Sequence, residues 1–417
     1  MPLLYDLATR LYHQGIKLAA PFHPKAKQWV DGRKGMWQRL EAAAPKLQGC
    51  LWMHCASVGE FEQGRPVLEE IVKERPGIPV LLTFFSPSGY EARKGFPLAT
   101  HVEYLPPDGH ANAQRLVGLV GPKAAVFIKY EFWYHHLHAL KRADVPVFLV
   151  SALFRSGQPF FQWYGGAWRS MLKCYTHVFT QDQRSQELIT SPGISRVTVS
   201  GDTRFDRVAS IVEANEELPA ARGFCDLRKG PVLVCGSTWP EDERIILDAL
   251  TDMAQRPRII IAPHELVGEG LDKLEAALPK PLITWSEASA APNPSAISAM
   301  STLLVDQMGF LARLYRYGDI AYVGGGFTGG IHSILEAAAW GRPVIFGPKH
   351  TKFTEAQGLI DDGGGFCVRN SAELRSVLER LMNDPGALQI AGAAASQFVA
   401  SRTGATHNVV TTLLSQI

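Results

Sequence analysis

Short runs of β-branched and aromatic residues alternate along the chain with longer stretches whose apolar residues recur at helical spacing. Buried parallel strands are apolar on both faces and are joined by helices, so this alternation predicts an α/β architecture of parallel sheets. The runs lie at Leu51–His54, Pro79–Phe84, His101–Leu105, Lys123–Ile128, Val145–Ser151, His177–Thr180, Arg196–Ser200, Pro231–Cys235, Arg258–Ala262, Pro281–Thr284, Thr302–Val305, Asp319–Val323, Pro343–Phe346 and Phe366–Val368.

The stretch from Ile211 to Gly230 interrupts this alternation. It is rich in Glu, Ala and Arg and contains Pro219, so we interpret it as an interdomain connector with a helix. We therefore expect a domain over residues 51–210 and a second over residues 211–417, each a doubly wound sheet, facing one another across a central cleft. Ligands of such sheets bind beyond the carboxyl ends of the strands, which places the expected site in that cleft.

The first 50 residues differ in charge from the rest of the chain. They contain eight basic and three acidic residues, a net charge of +5, whereas the whole chain carries +2. Leucines recur there at helical spacing, at Leu4, Leu7, Leu11 and Leu18. A basic amphipathic helix of this kind suits an anionic membrane interface, but it equally suits packing on the domain with solvated cations. The charge pattern alone leaves both interpretations open.

Composition argues against several other classes of protein. The sequence has no uninterrupted run of 18 apolar residues, so we expect no membrane-spanning helix. A net charge of +2 lacks the basic excess of a general nucleic-acid binder. The six cysteines form no C-x-x-C pair and the 13 histidines no H-E-x-x-H motif, so we expect neither a disulfide framework nor a metal site.

In the first half of the chain, Glu60 follows the predicted strand Leu51–His54. It falls in the first turn of the next predicted helix, with Ser57 as the N-cap. There Glu60 is either a general base, ionised because the helix N-terminus favours an anion, or the acidic member of a capping box. The spacing Ser57-x-x-Glu60 fits both interpretations.

Two further charged residues follow later predicted strands. Glu131 comes directly after the run Lys123–Ile128, where a carboxylate suits a binding site but also a solvated loop. Arg204 follows a glycine turn, and it either binds a phosphate with two hydrogen bonds or pairs with Asp202 or Asp206.

The most informative stretch of the second half is glycine-rich. Five glycines between Gly324 and Gly330 leave a predicted strand, and we expect a helix to open near His332 with Glu336 in its first turns. Glycines let backbone amides approach an anion, and Glu336 is placed to accept both hydrogen bonds of a ribose diol. The context of a Rossmann fingerprint and the P-loop sequence are both missing, which argues against nicotinamide enzymes and P-loop NTPases.

Together these motifs resemble the Kdo transferases, which move 3-deoxy-D-manno-octulosonic acid (Kdo) from CMP-Kdo onto a lipid A precursor. The shared elements, in the family's order, are Ser57-Val58-Gly59-Glu60, Ser86-Pro87-Ser88-Gly89, Glu131-Phe132-Trp133, Gly201-Asp202-Thr203-Arg204-Phe205-Asp206 and Leu335-Glu336-Ala337-Ala338. The resemblance implies a GT-B glycosyltransferase fold with two Rossmann-like domains. It also implies inverting transfer of Kdo to a sugar hydroxyl of lipid IVA, in lipopolysaccharide biosynthesis.

The resemblance also implies roles for individual residues. Glu60 matches the family's general base, Glu131 a carboxylate that supports the transition state, and Arg204 a cation, usually Lys in the family, on the leaving phosphate. The contacts to CMP carry over to Pro263, His264, Met308, Gly309, Phe310, Ser333, Ile334, Leu335 and Glu336.

The chain departs from the family pattern at two of these contacts. The family often has Pro-Arg-His where this chain has Ala262-Pro263-His264, so the alignment there can shift by one residue. It often has His-Asn-Pro where this chain has His332-Ser333-Ile334, so the family's asparagine contact does not carry over directly.

The expected partners follow from this reaction. They are CMP-Kdo, a lipid A precursor and an anionic membrane surface, without a cofactor, a metal or a nucleic acid. Because the acceptor is a lipid, the membrane interpretation of residues 1–50 is favoured, and we expect peripheral association with the cytoplasmic face of the bacterial inner membrane. Two alternatives are a GT-B enzyme that uses a nucleoside-diphosphate sugar with another acceptor, and a non-catalytic nucleotide-sugar binding protein.

Overall fold

The computed structural model describes residues 2–191, 193–226, 230–251, 253–266, 268–290 and 297–416. The chain divides into two units, one comprising Met1–Arg207 with Thr403–Ile417 and the other Val208–Arg402. Each unit is built on one sheet of seven strands, and every pair of neighbouring strands is parallel.

The sheet of the first unit has the order β3-β2-β1-β4-β5-β6-β7. Its strands are β1 Leu51–Cys55, β2 Val80–Phe84, β3 His101–Tyr104, β4 Ala124–Ile128, β5 Val147–Ala152, β6 His177–Thr180 and β7 Val197–Val199. The order reverses between β1 and β4, which is the switch point where doubly wound sheets bind their ligands. Consecutive residues of β1, Trp52 and Met53, lie in separate core clusters because side chains alternate between the two faces.

The helices of the first unit precede and connect these strands. They are Pro2–Ala19, Pro24–Gly32, Met36–Leu47, Val58–Glu74, Pro87–Arg93, His110–Val120, Tyr134–Arg142, Gly166–Leu172, Gln183–Thr190 and Ala405–Leu414, with a 3-10 turn at Pro159–Phe161. The helix Thr203–Ala214 begins in the first unit and ends in the second. No described helix is long and apolar enough to cross a membrane.

The sheet of the second unit has the order β10-β11-β9-β8-β12-β13-β14, with its switch point between β8 and β12. Its strands are β8 Val232–Thr238, β9 Arg258–Pro263, β10 Leu282–Thr284, β11 Thr302–Leu304, β12 Ile320–Val323, β13 Val344–Phe346 and β14 Gly365–Cys367. Its helices are Pro219–Cys225, Pro240–Thr251, Glu269–Ala277, Trp285–Ala290, Leu311–Leu314, Leu335–Ala339, Thr354–Asp361, Ser371–Asn383 and Pro385–Ala400, with a 3-10 turn at Tyr315–Tyr317.

The predicted parallel α/β architecture is confirmed, and each of the fourteen predicted apolar runs overlaps a strand. The sequence boundaries differ from the structure at the chain's end. We expected residues 211–417 to form one domain, but Thr403–Ile417 belongs to the first unit. The physical reason is the apolar face of the helix Ala405–Leu414, which buries Val409 and Leu413 in a core cluster of the first unit.

The first 50 residues also differ from the separate segment that we expected. They form three helices, and the helix Met36–Leu47 is part of the first unit's core because Leu40 and Leu47 are fully buried. The helix Pro2–Ala19 is held by Tyr5, whose hydroxyl donates a hydrogen bond of 2.6 Å to the Asp108 carboxylate. Residues 1–50 are therefore an integral part of the first unit.

Candidate active-site residues in the two units

Glu60 lies in the first turn of the helix Val58–Glu74, which follows β1 at the switch point of the first sheet. Its amide donates to Ser57 Oγ at 3.4 Å, and its Oε2 accepts from the Ala56 amide at 2.6 Å. The side chain therefore caps the helix, although it reaches the amide before Ser57 rather than that of Ser57 itself. This anchoring fixes the carboxylate at the carboxyl edge of the sheet, so capping and base catalysis are compatible.

The acidity of Glu60 differs from our expectation. Burial, followed by the negative charge of Glu131, raises the pKa of Glu60 to about 7. The hydrogen bond from Ala56 and the charges of His54 and Lys129 oppose this shift without cancelling it. We expected the helix N-terminus to keep Glu60 ionised, but desolvation outweighs that effect. A pKa near neutrality suits a general base better than an ordinary carboxylate does.

Glu131 lies three residues beyond β4, the neighbour of β1, and is buried. Its Oε2 lies 2.8 Å from His54 Nε2 and accepts a hydrogen bond from the indole of Trp133. The Tyr175 hydroxyl donates to the backbone carbonyl of Glu131. The interpretation as a solvated loop acid is wrong for Glu131, because its carboxylate is enclosed by donors.

The backbone just before Glu131 is strained. Lys129 has a φ of 68°, in the left-handed region that residues with a Cβ seldom adopt. It is held there by a hydrogen bond of 2.9 Å from its amide to the Val150 carbonyl of β5. This turn ends β4 and directs the following residues over the edge of the sheet.

Arg204 pairs with Asp202, one of the two acidic partners that the sequence suggested. The Nε and Nη2 atoms of Arg204 lie 2.9 and 2.7 Å from Asp202 Oδ2. Asp202 is tied in turn to the helix of Glu60, because Gln63 donates a hydrogen bond of 3.3 Å to its Oδ1. Asp206, the other suggested partner, instead accepts hydrogen bonds from the amides of Gly404 and Thr406.

The three predicted catalytic residues are gathered at one edge of the first unit. The charge of Glu131 acts on Glu60, and the charges of both Glu60 and Arg204 act on the pKa of Tyr130. Burial is the main cause that raises the pKa of Tyr130, while Arg204 lowers it. The side chains therefore share one electrostatic environment beyond the carboxyl ends of the strands.

In the second unit, His264 contacts two other aromatic rings with its own ring. It follows β9, and its ring lies 4.5 Å from that of Trp239 and 4.6 Å from that of His332, both nearly parallel. The Trp239 indole donates to His332 Nε2 at 3.1 Å. Burial and then the neighbouring His264 lower the pKa of His332, which keeps it neutral and able to accept that bond. Because the Trp239 and His332 nitrogens lie 3.1 Å apart, these two rings do not enclose His264 from opposite faces.

Four of the predicted CMP contacts line one pocket of the second unit. Its volume is about 100 Å³, and these four residues are Pro263, His264, Met308 and Gly309. Phe310 instead packs its ring against Trp285 at 4.6 Å. This pocket therefore brings four of the predicted CMP contacts together.

The other predicted CMP contacts lie around the helix Leu335–Ala339. Ser333 is exposed and Glu336 is half-buried, but the side chains of Ile334 and Leu335 are buried in the unit. A ligand therefore meets only the backbone of those two residues. The helix begins at Leu335 rather than near His332, because residues 330–333 are irregular and Ile334 lies in a bend.

The glycines of the loop also have a structural role that we did not expect, which is close packing against β8. The amides of Gly324 and Gly325 donate within the protein, to the Gly236 carbonyl at 2.9 Å and to Asp242 Oδ2 at 2.8 Å. A Cβ on Gly324 would lie 2.3 Å from the Ser237 carbonyl oxygen, so only glycine permits this close approach. These glycines pack the loop against the end of β8 rather than present those amides to an anion.

Sequence reasoning missed several residues of both sites. His54 and Thr83 complete the surroundings of Glu131, and Trp239 and Asp242 organise the second unit's turn. A histidine inside an apolar strand and an acid three residues after Trp239 are the only signals that the sequence offers. Among the described residues, no cluster of three His, Cys, Asp or Glu side chains could hold a metal ion.

Comparison with known proteins identifies sequence relatives of the chain. Residues 32–207 match the sequence model of a family described as 3-Deoxy-D-manno-octulosonic-acid transferase (kdotransferase). A 3-deoxy-D-manno-octulosonic acid transferase of Bordetella pertussis is 27% identical over 408 residues, 93% of this chain and 92% of the relative. Another, from Aquifex aeolicus, is 29% identical over 345 residues, 81% of this chain and 87% of the relative.

A solved structure supports the fold alone. The UDP-GlcNAc 2-epimerase of Neisseria meningitidis bound to UDP-GlcNAc is similar with a TM-score of 0.61 at 15% identity, over 88% of this chain and 99% of that chain. The two doubly wound units and their switch-point residues define a protein of the GT-B class, as predicted. Within that class, residues 32–207 match the Kdo transferase family, and the chain is similar to curated Kdo transferases over most of its length.

Proposed function

We propose that the protein transfers Kdo from CMP-Kdo to a sugar hydroxyl of a lipid A precursor, lipid IVA, with inversion at the anomeric carbon. The observation that carries the proposal is Glu60, a carboxylate anchored at the switch point with a pKa raised to about 7. An acceptor hydroxyl needs such a base as it attacks, and the similarity to Kdo transferases supports Kdo as the transferred sugar.

The reaction follows from the placement of these groups. Glu60 takes the proton of the acceptor hydroxyl while the hydroxyl oxygen forms a bond to the anomeric carbon of Kdo. The bond from that carbon to the CMP phosphate breaks, and its electron pair stays on the phosphate oxygen. Attack from the face opposite the leaving group inverts the anomeric centre. Glu131 contributes a fixed negative charge near the positive charge that develops on the sugar.

Arg204 stabilises the leaving phosphate in this proposal. Its guanidinium is oriented by Asp202, with distances of 2.9 and 2.7 Å to one carboxylate oxygen. A guanidinium can share its donors between a carboxylate and a phosphate, which a single ammonium point charge does less readily. Pro263, His264, Met308, Gly309 and Phe310 then bind CMP, with Ser333, Ile334, Leu335 and Glu336.

The test is a transfer assay with a defined lipid. Purified protein is incubated with CMP-Kdo and tetraacylated lipid A precursor, and the lipid product is weighed by mass spectrometry. We expect the mass to increase by whole Kdo units, whose number the spectrum counts, and NMR of the product to show the inverted anomer. An unchanged lipid mass contradicts the proposal.

Calorimetry distinguishes the proposal from the alternative donor class. We expect the protein to bind CMP more tightly than UDP. Tight binding of UDP with none of CMP would instead support a GT-B enzyme that uses a nucleoside-diphosphate sugar. A non-catalytic binding protein is excluded when Glu60→Gln abolishes transfer without weakening CMP binding.

We further propose that the first unit associates peripherally with the cytoplasmic face of the inner membrane. One side of the helix Pro2–Ala19 is held on the unit through Tyr5 and Asp6, but its leucines point into solvent. Leu4, Leu7, Leu11 and Leu18 are 55–75% exposed, and Phe22 beyond the helix is 89% exposed. Basic residues surround this apolar face, which suits an interface of anionic lipids.

Vesicle binding tests the membrane proposal. The variant Leu7→Gln/Leu11→Gln leaves the Tyr5 contact intact, and Ile390→Gln, at an apolar residue of the second unit that is 73% exposed, is the matched control. We expect the parent and the control to sediment with vesicles of phosphatidylglycerol, and the double variant to remain in solution. Equal binding by all three proteins contradicts this location of the contact.

A further inference from the structure

His54 contacts a polar partner through each of its ring nitrogens, Glu131 through one and Thr83 through the other. It is the fourth residue of β1 and is fully buried. Nε2 lies 2.8 Å from Glu131 Oε2, and Nδ1 lies 2.9 Å from Thr83 Oγ1 and 3.1 Å from the Thr83 carbonyl oxygen. Thr83 is opposite His54 in the neighbouring strand β2, so the strand register fixes this contact.

The hydrogen bonds leave little freedom to the imidazole. Trp52 Nε1 donates to Thr83 Oγ1 at 2.8 Å. This leaves the hydroxyl proton of Thr83 two acceptors, the Met53 carbonyl at 3.4 Å and, closer, His54 Nδ1 at 2.9 Å. When the Thr83 hydroxyl donates to Nδ1, the proton of neutral His54 is on Nε2 and points at Glu131. When His54 is protonated, Nδ1–H turns to the Thr83 carbonyl instead, and Nε2–H still faces Glu131. Thr83 thus satisfies both protonation states, and in both the histidine donates to the carboxylate.

We propose that His54 is a positioning residue, which holds the Glu131 carboxylate in one orientation beside Glu60. This inference rests on the proposed transfer reaction and adds to it a group outside the set carried over from the family. His54 does not touch the acceptor or the donor in this proposal, because it is fully buried. It acts chiefly through Glu131, whose charge affects the pKa of Glu60 more than that of His54 does.

Other groups surround His54 and Glu131, and none of the described residues takes over the contact that His54 makes with the Glu131 carboxylate. Trp133 also donates to Glu131 Oε2, but its indole nitrogen lies 3.2 Å from His54 Nε2 as well. Lys129 opposes the shift of Glu60, while burial raises the pKa of Cys55 and lowers that of His136, so both are uncharged at neutral pH. Burial likewise raises the pKa of the Tyr175 phenol, so it is uncharged.

Removal of His54 has a definite electrostatic consequence. A buried carboxylate that loses a hydrogen-bond donor tends to take up a proton rather than remain charged. Without His54 the Glu131 carboxylate can also turn away from Glu60, and its negative charge, which after burial contributes most to the raised pKa of Glu60, then acts on Glu60 less. The opposing charge of His54 itself ranks below that of Glu131, so the net movement of the Glu60 pKa is downward.

Two substitutions of the same residue separate positioning from packing. His54→Gln keeps an N–H close to the place of Nε2, whereas His54→Leu fills similar space without a donor. The control is His101→Leu, which removes a histidine from the same sheet, 3.5 Å from the different carboxylate of Glu103. Circular dichroism and thermal unfolding establish that each variant is folded before it is assayed.

The first readout is steady-state transfer across pH. We expect His54→Leu to lower kcat about 100-fold with KM changed less than threefold, and His54→Gln and His101→Leu to stay within about fivefold of the parent. The acid limb of the rate profile should move to lower pH in His54→Leu alone. Equal losses in the Gln and Leu variants, or an acid limb that does not move, overturn the inference.

The second readout does not need activity. The Glu60 carboxyl carbon is titrated by NMR in protein labelled with [δ-¹³C]glutamate, and its signal is assigned by its loss in Glu60→Gln. We expect the pKa of Glu60 to fall in His54→Leu and to stay near that of the parent in His54→Gln. An unchanged pKa in His54→Leu contradicts the inference even when transfer is observed. Absence of transfer by the parent contradicts the proposed function and leaves this titration to decide on His54.

Discussion

The two units have similar sheets, but different kinds of side chain lie at the carboxyl edges of those sheets. In the first unit the edge carries ionisable groups, Glu60, Glu131 and His54, whose partners are charged or polar and mostly buried. In the second unit the edge carries stacked rings around His264, together with a glycine loop packed on β8. The same fold therefore presents ionisable groups at one edge and packed rings and glycines at the other.

This difference teaches how each function depends on its surroundings. Base chemistry needs a group whose pKa is moved towards neutrality, and only burial beside another charge achieves that at the first edge. In the proposed function, nucleotide recognition needs rigid surfaces, and the ring contacts of His264 and the close packing of Gly324 restrain the second edge. Substitutions at the first edge should affect turnover, and substitutions at the second should affect affinity.

The substitution Glu60→Gln should give the largest effect. It keeps the size of the side chain and an oxygen that accepts from Ala56, but it removes the base. We expect kcat to fall about 1000-fold, within the range for a lost general base, while the affinity for CMP measured by calorimetry changes less than twofold.

The control for that prediction is Glu69→Gln on the same helix. Glu69 pairs with Arg65 at the surface at 2.7 Å, and such pairs contribute little. It should leave kcat unchanged. A similar loss in both variants would show that the loss comes from a disturbed helix and not from a missing base. That result would contradict the contrast between the two edges.

The pH dependence of transfer should follow the same edge. Since the base must be ionised, kcat/KM should rise with pH and level off above the pKa of Glu60, about 7 in the free protein. Below that value the rate should fall about tenfold for each pH unit, as expected for one essential ionisation. An acid limb near pH 4.5 would instead mean that Glu60 is an ordinary exposed carboxylate.

The sequence predicted the backbone of both edges better than their electrostatics. Strand periodicity located all fourteen strands, and the spacing Ser57-x-x-Glu60 correctly predicted a helix cap. The raised pKa of Glu60 was beyond sequence reasoning, because it depends on burial and on Glu131, which comes from a different strand. Long-range neighbours of this kind are determined by the sheet order and not by local pattern.

The same limit explains the errors in the second unit. Five glycines near a strand end are consistent with an anion cradle and with tight packing, and the choice depends on what lies opposite. Here the opposite groups are the carbonyl of Ser237 and the carboxylate of Asp242, from elsewhere in the chain. Likewise, the apolar face of the helix Ala405–Leu414 shows that it packs, but not on which unit.

At the second edge, His264→Phe should weaken nucleotide binding without affecting chemistry. Phenylalanine can keep the ring contacts with Trp239 and His332 but loses the ring nitrogens of His264. We expect the Kd for CMP to rise about fivefold, the size of one hydrogen bond, with kcat within twofold of the parent. His407→Phe, at an exposed histidine of the first unit, is the control and should change neither value. A fall in kcat with an unchanged Kd would contradict the assignment of recognition to this edge.

The smallest effect should appear in stability. Because the folded pKa of Glu60, about 7, lies above its ordinary value of 4.5, folding favours the protonated form. This contribution is complete below about pH 4.5 and is lost as the pH rises through 7. Glu60→Gln stays uncharged, so it should match the parent at pH 4.5 and exceed its free energy of unfolding by on the order of 2 kcal/mol at pH 8.5.

Thermal unfolding measures this difference as a few degrees in Tm at pH 8.5 and none at pH 4.5. Glu69→Gln should show no such pH-dependent difference from the parent, because its carboxylate is partly exposed and paired at the surface. A variant that is least active yet more stable at high pH would show that the first edge holds its base at a cost to folding. A Glu60→Gln variant less stable than the parent at pH 8.5 would show instead that the ionised carboxylate stabilises the helix cap, and that desolvation does not dominate there.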